Sequence, residues 1–282
     1  MLKGLRVAAV NVVKHLLKPR PQRSVSLRWL IWPSSSGVKR RFRATATVTC
    51  QEDGDLRIVT VNGQKFVWPR DASMRQLYIL CAELMVPNHP HQYLWGPTKI
   101  SPGETVLDIG ACEGGFSARA TEIGADVIAV EPSGKMIGVM RRLFEVRGLR
   151  EPTIRQCLLG GRCGETLFLD DEYEPAFSAA VSEPANGAHT LPMLTLDELV
   201  ESTGIERLDF IKCDAEGAEE AILRGGEQTL RRFRPKLAFC AYETDHQFMD
   251  MYRFLHGLGY RIKGKGLRCL ESDLRIVMLH AW

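Results

Sequence analysis

The stretch ETVLDIGACEGGFS at residues 104–117 decides the fold of this chain. A short apolar run leads into a turn that contains Gly110, Gly114 and Gly115, and a helical segment begins after the turn. This order predicts a buried strand, a glycine-rich turn and a helix. Glycines let a backbone approach a ligand closely, and the free N–H groups at the start of the helix can bind it. The stretch therefore predicts a nucleotide-type cofactor site at the carboxyl end of a strand.

Downstream of this motif, short apolar runs alternate with helical segments. The alternation predicts an α/β fold in which crossover helices connect the strands of a mostly parallel, doubly wound sheet. We assign residues 101–282 to this domain. Its predicted strands cover residues 105–109, 126–131, 153–159, 208–213 and 236–242, with a C-terminal pair near 260–265 and 273–280.

Upstream of the motif, residues 43–100 are predicted to form a β-meander and a helix. The meander has three alternating, β-branched runs, and the dipeptides Asp53-Gly54 and Asn62-Gly63 between them favour tight hairpin turns. A helix is predicted from an N-cap at Asp71 to about Met85, and Pro87 ends it. The three predicted strands cover residues 44–50, 55–61 and 64–68.

The composition is that of a globular protein. Of the 282 residues, 45% are hydrophobic and 25% are charged, and no apolar run approaches the roughly 18 residues that a membrane span needs. The eight cysteines are scattered and form no C-x-x-C pair. This arrangement is typical of reduced thiols, so it predicts a cytoplasmic, reducing compartment.

The N-terminal arm, residues 1–42, is strongly basic. Residues 1–50 hold eleven Lys or Arg and no acidic residue, whereas the rest of the chain holds 26 basic and 34 acidic residues. Apolar residues recur at helical spacing near the start of the arm, which predicts an amphipathic helix before a linker at residues 33–37. The arm can be a solvated or docked segment, a helix peripheral to an anionic membrane, or a transit peptide. We expect no nucleic-acid partner, because nothing downstream resembles a base-reading module.

Two acidic residues distinguish between cofactors. Glu131 ends the second predicted strand, 21 residues after Gly110, where a carboxylate accepts the hydroxyls of an adenosine ribose. The glycines are spaced G-x-x-x-G-G instead of G-x-G-x-x-G, and Asp108 at the first strand tip would oppose a pyrophosphate. An acid suits the cationic methionyl group of S-adenosylmethionine, so we predict this cofactor over a nicotinamide dinucleotide. The plainer alternative makes Asp108 a turn former and Glu131 a surface residue.

A second motif, LDFIKCDAEGAEEAILRGG at residues 208–226, reads as an apolar strand, a glycine turn and a helix. Ligands of open α/β sheets bind outside the carboxyl ends of the strands. Lys212, Asp214 and Glu216 are therefore predicted to lie beside the cofactor.

These motifs together resemble the FkbM family of S-adenosylmethionine-dependent methyltransferases. The resemblance covers roughly residues 60–282 and includes DIGACEGGFS, the VEP that follows it, LTLDELV at 194–200, DFIKCDAEGAE at 209–219 and Arg234-Pro235. It implies a Rossmann-like class I methyltransferase fold. It also implies O-methylation of a hydroxyl group on a small-molecule or glycan acceptor, such as a sugar or a secondary metabolite.

The resemblance also implies roles for individual residues. Asp108, Gly110 and Ala111 would line the methionyl side of the donor, and Glu131 would hold the ribose. Asp214, with Glu216 and Lys212, would lie at the site of methyl transfer.

The reaction needs an acceptor for the hydroxyl proton, because an alcohol is too weak an acid to ionise beforehand. Asp214 and Glu216 are the candidates, with Glu243 as an outside one, although Asp214 can merely cap a helix and Glu216 can merely favour the helix dipole. Lys212 can steady an anionic acceptor or cover the sheet edge with its stem.

No metal ion is predicted. An ion held by Asp214, Glu243 and Asp245 is a less favoured alternative, and one at His89-x-His91 is disfavoured because it has no third ligand nearby in the sequence. Two rival functions stay open from the sequence: a nicotinamide oxidoreductase, and a binding module that has kept S-adenosylmethionine but lost catalysis.

Overall fold

The computed structural model describes residues 41–169, 179–181, 189–270 and 273–282, together with Lys18, Pro21 and Val25. The predicted amphipathic helix and the linker at residues 33–37 lie outside the described residues.

The N-terminal part forms the predicted meander and helix. Strands β1 (Val48–Asp53), β2 (Leu56–Val61) and β3 (Gln64–Pro69) pair antiparallel in that order, and helix α1 spans Met74–Met85. Asn62 and Gly63 both have positive φ, 49° and 82°, which is the backbone of the type I′ turn that the Asn-Gly dipeptide favours.

Two predicted boundaries in this part are wrong. Residues 41–45 are helical, so the first strand begins at Val48 and not at residue 44. The N-cap of α1 is Ser73 and not Asp71, since the Ser73 hydroxyl accepts the backbone N–H of Arg75 at 3.3 Å. Asp71 instead lies in a turn after β3, where Ala72 N–H donates to the Pro69 carbonyl.

The remaining elements are given in chain order, and residues 170–178, 182–188 and 271–272 between them are not described. They are β4 (Thr105–Ile109), α2 (Gly115–Ile123), β5 (Asp126–Val130), α3 (Gly134–Arg147), β6 (Thr153–Arg155), β7 (Leu158–Leu159), β8 (Gly164–Leu169), β9 (Ala179–Val181), β10 (His189–Leu194), α4 (Leu196–Thr203), β11 (Phe210–Cys213), α5 (Glu219–Arg224), α6 (Glu227–Phe233), β12 (Lys236–Cys240), α7 (Gln247–Gly257), β13 (Ile262–Leu270) and β14 (Asp273–Ala281).

The central sheet has seven strands in the order β13-β14-β12-β11-β4-β5-β6. The five strands from β12 to β6 are parallel, and β14 is antiparallel to both of its neighbours. Helices α4 to α7 pack on one face, where they bury Leu107, Ile211 and Phe239. Helix α2 covers the other face, and α1, α3 and the meander extend its core. This is the predicted mostly parallel, doubly wound sheet.

One predicted strand belongs to two sheets. The chain leaves the central sheet after Arg155, and Leu158–Leu159 pairs with β10 in a second sheet of order β7-β10-β8-β9. The sequence analysis did not predict this four-stranded sheet, which is an excursion between β6 and β11. This four-stranded sheet lies beside the carboxyl ends of the strands of the central sheet.

The order of strands reverses between β4 and β11, which are neighbours in the sheet. In the sheet, β4 lies between β5, which is the next strand along the chain, and β11, which the chain reaches only after the excursion. In open α/β sheets such a switch point opens a crevice at the carboxyl ends of the two strands. The predicted site residues lie at or just after the carboxyl ends of β4, β5 and β11.

Within the described part of the chain, no helix combines the length and the apolar character needed to cross a membrane. The seven cysteines whose side chains are described are all free thiols.

Candidate active site

A cavity of about 740 Å³ lies at the carboxyl ends of β4, β5 and β11. Its volume falls within the ~300–1,000 Å³ that is typical of small-molecule sites. Helix α1 and the loop at residues 89–93 form one wall, and the excursion at residues 157–162 forms another. The cavity is therefore built by three parts of the chain that are far apart in sequence.

Gly110 is the point at which β4 and β11 come closest. Its φ is +69°, and a Cβ atom added there would lie 1.8 Å from the carbonyl oxygen of Asp214. Only glycine fits between the two strand ends, and the backbone on the other side of this turn lines the cavity together with Ala111. The N–H groups of both residues donate to the Val130 carbonyl, which ties the turn to β5.

Gly114 and Gly115 shape the turn but do not line the cavity. At Gly114, with φ +82°, an added Cβ would lie 2.4 Å from Met140 Cγ on α3. At Gly115 it would lie 2.4 Å from Glu113 Oε1 and 2.7 Å from Leu84 Cδ1. These two glycines let α2 start against α1 and α3, and their contact with the cofactor stays a prediction.

Asp108 and Lys212 form a buried ion pair behind the cavity wall. The Lys212 ammonium lies 3.0 Å from Asp108 Oδ1, and Ser117 donates its hydroxyl to Oδ2 at 2.6 Å. Lys212 also donates to the carbonyls of Ile109 and Gly110. Burial lowers the pKa of Lys212, but the charges of Asp108 and Asp214 outweigh it and raise the pKa. Lys212 reaches the cavity surface, whereas the Asp108 side chain is fully buried, so the predicted methionyl contact of Asp108 stays untested.

Glu131 lines the cavity at the end of β5 and is held by backbone donors. Its two carboxylate oxygens accept the N–H groups of Cys112 at 2.8 Å and Ser133 at 2.9 Å. Burial raises its pKa to about 7, although both backbone donors favour the charged form. The carboxylate is therefore fixed in direction at the position predicted for the ribose.

Asp214 lies at the end of β11 and faces the cavity, with 22% of its side chain exposed. Tyr93 donates its hydroxyl to Asp214 Oδ2 at 2.7 Å, and His91 Nε2 lies 3.6 Å from the same oxygen. Burial raises the pKa of Asp214, but His91, Lys212 and the Tyr93 hydrogen bond together lower it below its usual range. Asp214 is thus an ionised carboxylate at neutral pH.

Glu216 stands at the mouth of the same cavity. Its backbone has φ +48°, and its side chain is exposed. Partial desolvation, followed by the charges of Asp214, Glu243 and Glu219, raises its pKa to about 8. Glu216 is therefore largely protonated at neutral pH, in contrast to Asp214.

Glu219 holds the loop that carries Asp214 and Glu216. It accepts the N–H groups of Ala215 at 2.8 Å and Gly217 at 3.1 Å, and Gln247 donates to it at 2.5 Å. Burial raises the pKa of Glu219 to about 7. Its role is to fix the loop.

Of the four residues that surround Asp214, the sequence analysis missed three and considered His91 only as a metal ligand beside His89. His91 and Tyr93 come from the loop after α1, Glu83 from α1 itself, and Cys240 from the end of β12. His91 Nδ1 lies 3.0 Å from Glu83 Oε2, and His91 Nε2 lies 2.8 Å from Cys240 Sγ. No local pattern predicts the contacts of His91 with Cys240 and of Tyr93 with Asp214, because each joins residues 121 or more positions apart. Asp245 points elsewhere, since it pairs with Arg275 at 2.5 Å.

The strand order, the antiparallel β14 and the cavity over the switch point define a class I S-adenosylmethionine-dependent methyltransferase. A family model described as a methyltransferase FkbM domain matches residues 108–262, more than half of the chain. The chain belongs to the FkbM methyltransferase family.

Comparison with solved structures found proteins of similar fold. The methyltransferase FkbM from Methylobacillus flagellatus KT is 19% identical with a TM-score of 0.49; the match covers 76% of this chain and 56% of that one. The precorrin-6y C5,15-methyltransferase from Geobacter metallireducens GS-15 is 15% identical with a TM-score of 0.40, covering 65% of this chain and 81% of that one. A putative methyltransferase from Streptococcus mutans, in complex with SAH, is 11% identical with a TM-score of 0.41, covering 65% and 91%. A search of curated proteins found no match.

S-adenosylmethionine is the cofactor of this methyltransferase, and the nicotinamide alternative is set aside. The residues present fit the cofactor in two respects. Gly110 lets the turn pack against the end of β11, so that the backbone of Gly110 and Ala111 lines the cavity, and Glu131 presents a buried carboxylate to the same cavity.

Proposed function

We propose that the protein transfers the methyl group of S-adenosylmethionine to a hydroxyl oxygen of a small-molecule or glycan acceptor, with Asp214 as the proton acceptor. The observation that carries this proposal is Asp214 itself. It is an ionised carboxylate at the carboxyl end of β11 that lines the cavity, and its backbone carbonyl packs against the turn at Gly110. We expect a carboxylate at this position to lie beside both the donor and the acceptor.

The donor is proposed to lie along the ends of β4 and β5. Glu131 accepts the ribose hydroxyls, and the turn at Gly110 and Ala111 contacts the methionyl part. The acceptor oxygen attacks the methyl carbon while the carbon–sulfur bond breaks, and the bonding electrons remain on sulfur as neutral S-adenosylhomocysteine. Alignment of the reacting atoms supplies up to about 7–11 kcal/mol of the acceleration for well-oriented reactants.

Asp214 takes the hydroxyl proton as the new oxygen–carbon bond forms. Tyr93 orients its carboxylate, and His91, Lys212 and the Tyr93 hydrogen bond lower its pKa and so keep it ionised. Lys212 thus acts through Asp214 and through the strand ends that it ties together. Glu216 is the second candidate base, but with a pKa of about 8 most of it is already protonated at neutral pH and cannot accept another proton.

The proposal is tested by ligand binding followed by an acceptor screen. S-adenosylhomocysteine is expected to bind the full chain and NAD is not, as measured by calorimetric titration. Incubation of cell extracts with isotope-labelled methyl donor is then expected to give a product with a CH₂ increment on an oxygen, identified by mass spectrometry and NMR. A product methylated on nitrogen would contradict the oxygen acceptor, and binding without any product would favour the inactive module.

The affinity for S-adenosylhomocysteine is expected to depend on pH through Glu131. Ribose hydroxyls prefer the charged carboxylate, and a pKa of about 7 means that binding at lower pH must release a proton. Affinity should therefore rise with pH by up to about tenfold per unit below pH 7 and level off above it. Lys212 favours the charged form of Glu131 and Asp108 opposes it.

Glu131→Gln should weaken binding and remove most of this pH dependence, as measured by titration from about pH 6 to about pH 8. Glu165→Gln, which changes an exposed glutamate on β8, is the control and should leave the profile unchanged. A native pH profile in the Glu131 variant would contradict the ribose assignment.

We also propose a peripheral association of the arm, residues 1–42, with anionic membranes. Residues 1–50 hold eleven basic residues and no acidic residue. This concentration of positive charge supports attraction of the arm to anionic lipids. Flotation with anionic vesicles should fall when residues 1–42 are removed, and equal flotation of both chains would contradict the association.

A further inference from the structure

We propose a transition-metal site, of the kind that binds Zn²⁺, formed by His91, Asp214 and Cys240. One ligand atom from each lies within 4.8 Å of the other two, and in the described residues this is the one group of three or more potential ligands so arranged. The side chains come from the loop after α1 and from the ends of β11 and β12. The inference goes beyond the proposed function, because it depends on these ligands and not on the acceptor.

The ligand set matches zinc chemistry. An imidazole nitrogen, a carboxylate oxygen and a thiolate are all Zn²⁺ ligands, and three protein ligands with an open fourth position are typical of catalytic zinc sites. Thiolate and imidazole are poor ligands for Mg²⁺ and Ca²⁺, which take oxygen donors. The set therefore selects a borderline transition-metal ion.

The distances are close to those that a tetrahedral ion requires. Bond lengths of about 2.0–2.3 Å place nitrogen and oxygen ligands about 3.3 Å apart, and nitrogen and sulfur ligands about 3.5 Å apart. His91 Nε2 lies 3.6 Å from Asp214 Oδ2 and 2.8 Å from Cys240 Sγ. A rotation of the Cys240 side chain that moves its sulfur by somewhat under 1 Å admits the ion.

The surrounding residues orient the ligands as they do in metal sites. A metal-binding histidine usually binds the ion through one ring nitrogen and donates the N–H of the other to an acceptor such as a carboxylate. This hydrogen bond orients the ring so that the first nitrogen points at the ion. Glu83 Oε2 lies 3.0 Å from His91 Nδ1, so Nε2 is the nitrogen that points to Asp214 and Cys240. Tyr93 holds the carboxylate of Asp214 in the same way.

The open position faces the cavity. His91 and Asp214 line the cavity and Cys240 is buried behind them, so an ion bound by all three would meet a ligand from the cavity side.

The test is a Co²⁺ titration of the full chain after reduction and removal of metals by a chelator. We expect saturation at one equivalent, with a thiolate-to-cobalt charge-transfer band that Zn²⁺ displaces. Cys240→Ser should abolish the band. Cys213→Ser, at an equally buried cysteine that faces the opposite side of the sheet, should retain it.

Glu83→Gln gives a second readout if the Cys240 variant does not fold. It leaves all three ligands in place and should weaken Co²⁺ binding by about 10–100-fold while keeping the band. Absence of the band from the native chain, or its equal loss in the Cys213 and Cys240 variants, would overturn the site. Because the readout is spectroscopic, failure of the metal site leaves the methyl-transfer proposal standing. A bound ion would engage the carboxylate of Asp214 and so exclude Asp214 as the free proton acceptor, while methyl transfer itself could still occur.

Discussion

Gly110→Ala is expected to abolish binding of S-adenosylhomocysteine and to lower the stability of the protein. An added Cβ would lie 1.8 Å from the carbonyl oxygen of Asp214 and 2.9 Å from its carbonyl carbon. Both neighbours are backbone atoms, so relief requires that β4 and β11 separate at their ends. The left-handed φ of +69° adds roughly 1–2 kcal/mol for a residue with a side chain.

The strand ends resist such a separation. Asp214 N–H donates to the Ile109 carbonyl at 3.1 Å, and Lys212 bridges Asp108 and the carbonyls at the end of β4. The clash would therefore strain the ion pair between Asp108 and Lys212, which holds the ends of β4 and β11 together next to Asp214. Loss of cofactor affinity and a lower unfolding temperature should appear together.

Gly138→Ala is the matched control for this substitution. Gly138 lies in the exposed face of α3, and an added Cβ meets nothing within 4 Å. Alanine inside a helix is favoured over glycine by roughly 0.5–1 kcal/mol, so this variant should be slightly stabilised. Thermal unfolding and calorimetric titration check both variants. Native affinity and stability in the Gly110 variant would contradict the close contact between the two strand ends.

Asp214→Asn is expected to lower kcat by about 10²–10⁴-fold, the usual contribution of a positioned proton acceptor. Asparagine has nearly the same shape, and its carbonyl oxygen can still accept the Tyr93 hydroxyl, so the cavity should keep its form. Affinity for S-adenosylhomocysteine should change little. The loss should therefore appear in the rate constant of methyl transfer, measured with the acceptor found in the screen.

Glu216→Gln is the comparison that separates the two candidate bases. Since Glu216 is largely protonated at neutral pH, the substitution removes little negative charge and should cost less than about tenfold in rate. A larger loss in this variant than in Asp214→Asn would move the role of base to Glu216. Equal and small losses in both would show that the acceptor needs no carboxylate base.

The local motifs correctly predicted the strands and the turn that surround the cavity. Strand β4, the turn at Gly110 and strand β11 follow from apolar runs and glycines that are contiguous in sequence. The short strand at residues 158–159 was merged with β6, because pattern alone does not show which sheet an apolar run joins. The N-cap at Ser73 was missed for a related reason, since Asp71 is an equally good capping residue in the sequence.

The partners of Asp214 could not be predicted in the same way. Tyr93 and His91 reach it only because α1 packs against the start of α2, where Leu84 lies beside Gly115. Cys240 reaches it through the register between β11 and β12. The surroundings of Asp108 were also only partly predicted: the sequence shows the acid at the end of β4, but its buried ion pair with Lys212 depends on the neighbouring strand β11.

The wall formed by α1 and residues 89–93 lies outside the 108–262 segment that defines the family. The pocket therefore combines the predicted donor residues, which lie inside that segment, with a wall that the segment does not include. If this wall selects the acceptor, grafting residues 41–100 of this chain onto a relative should change the acceptor while leaving the use of the methyl donor unchanged.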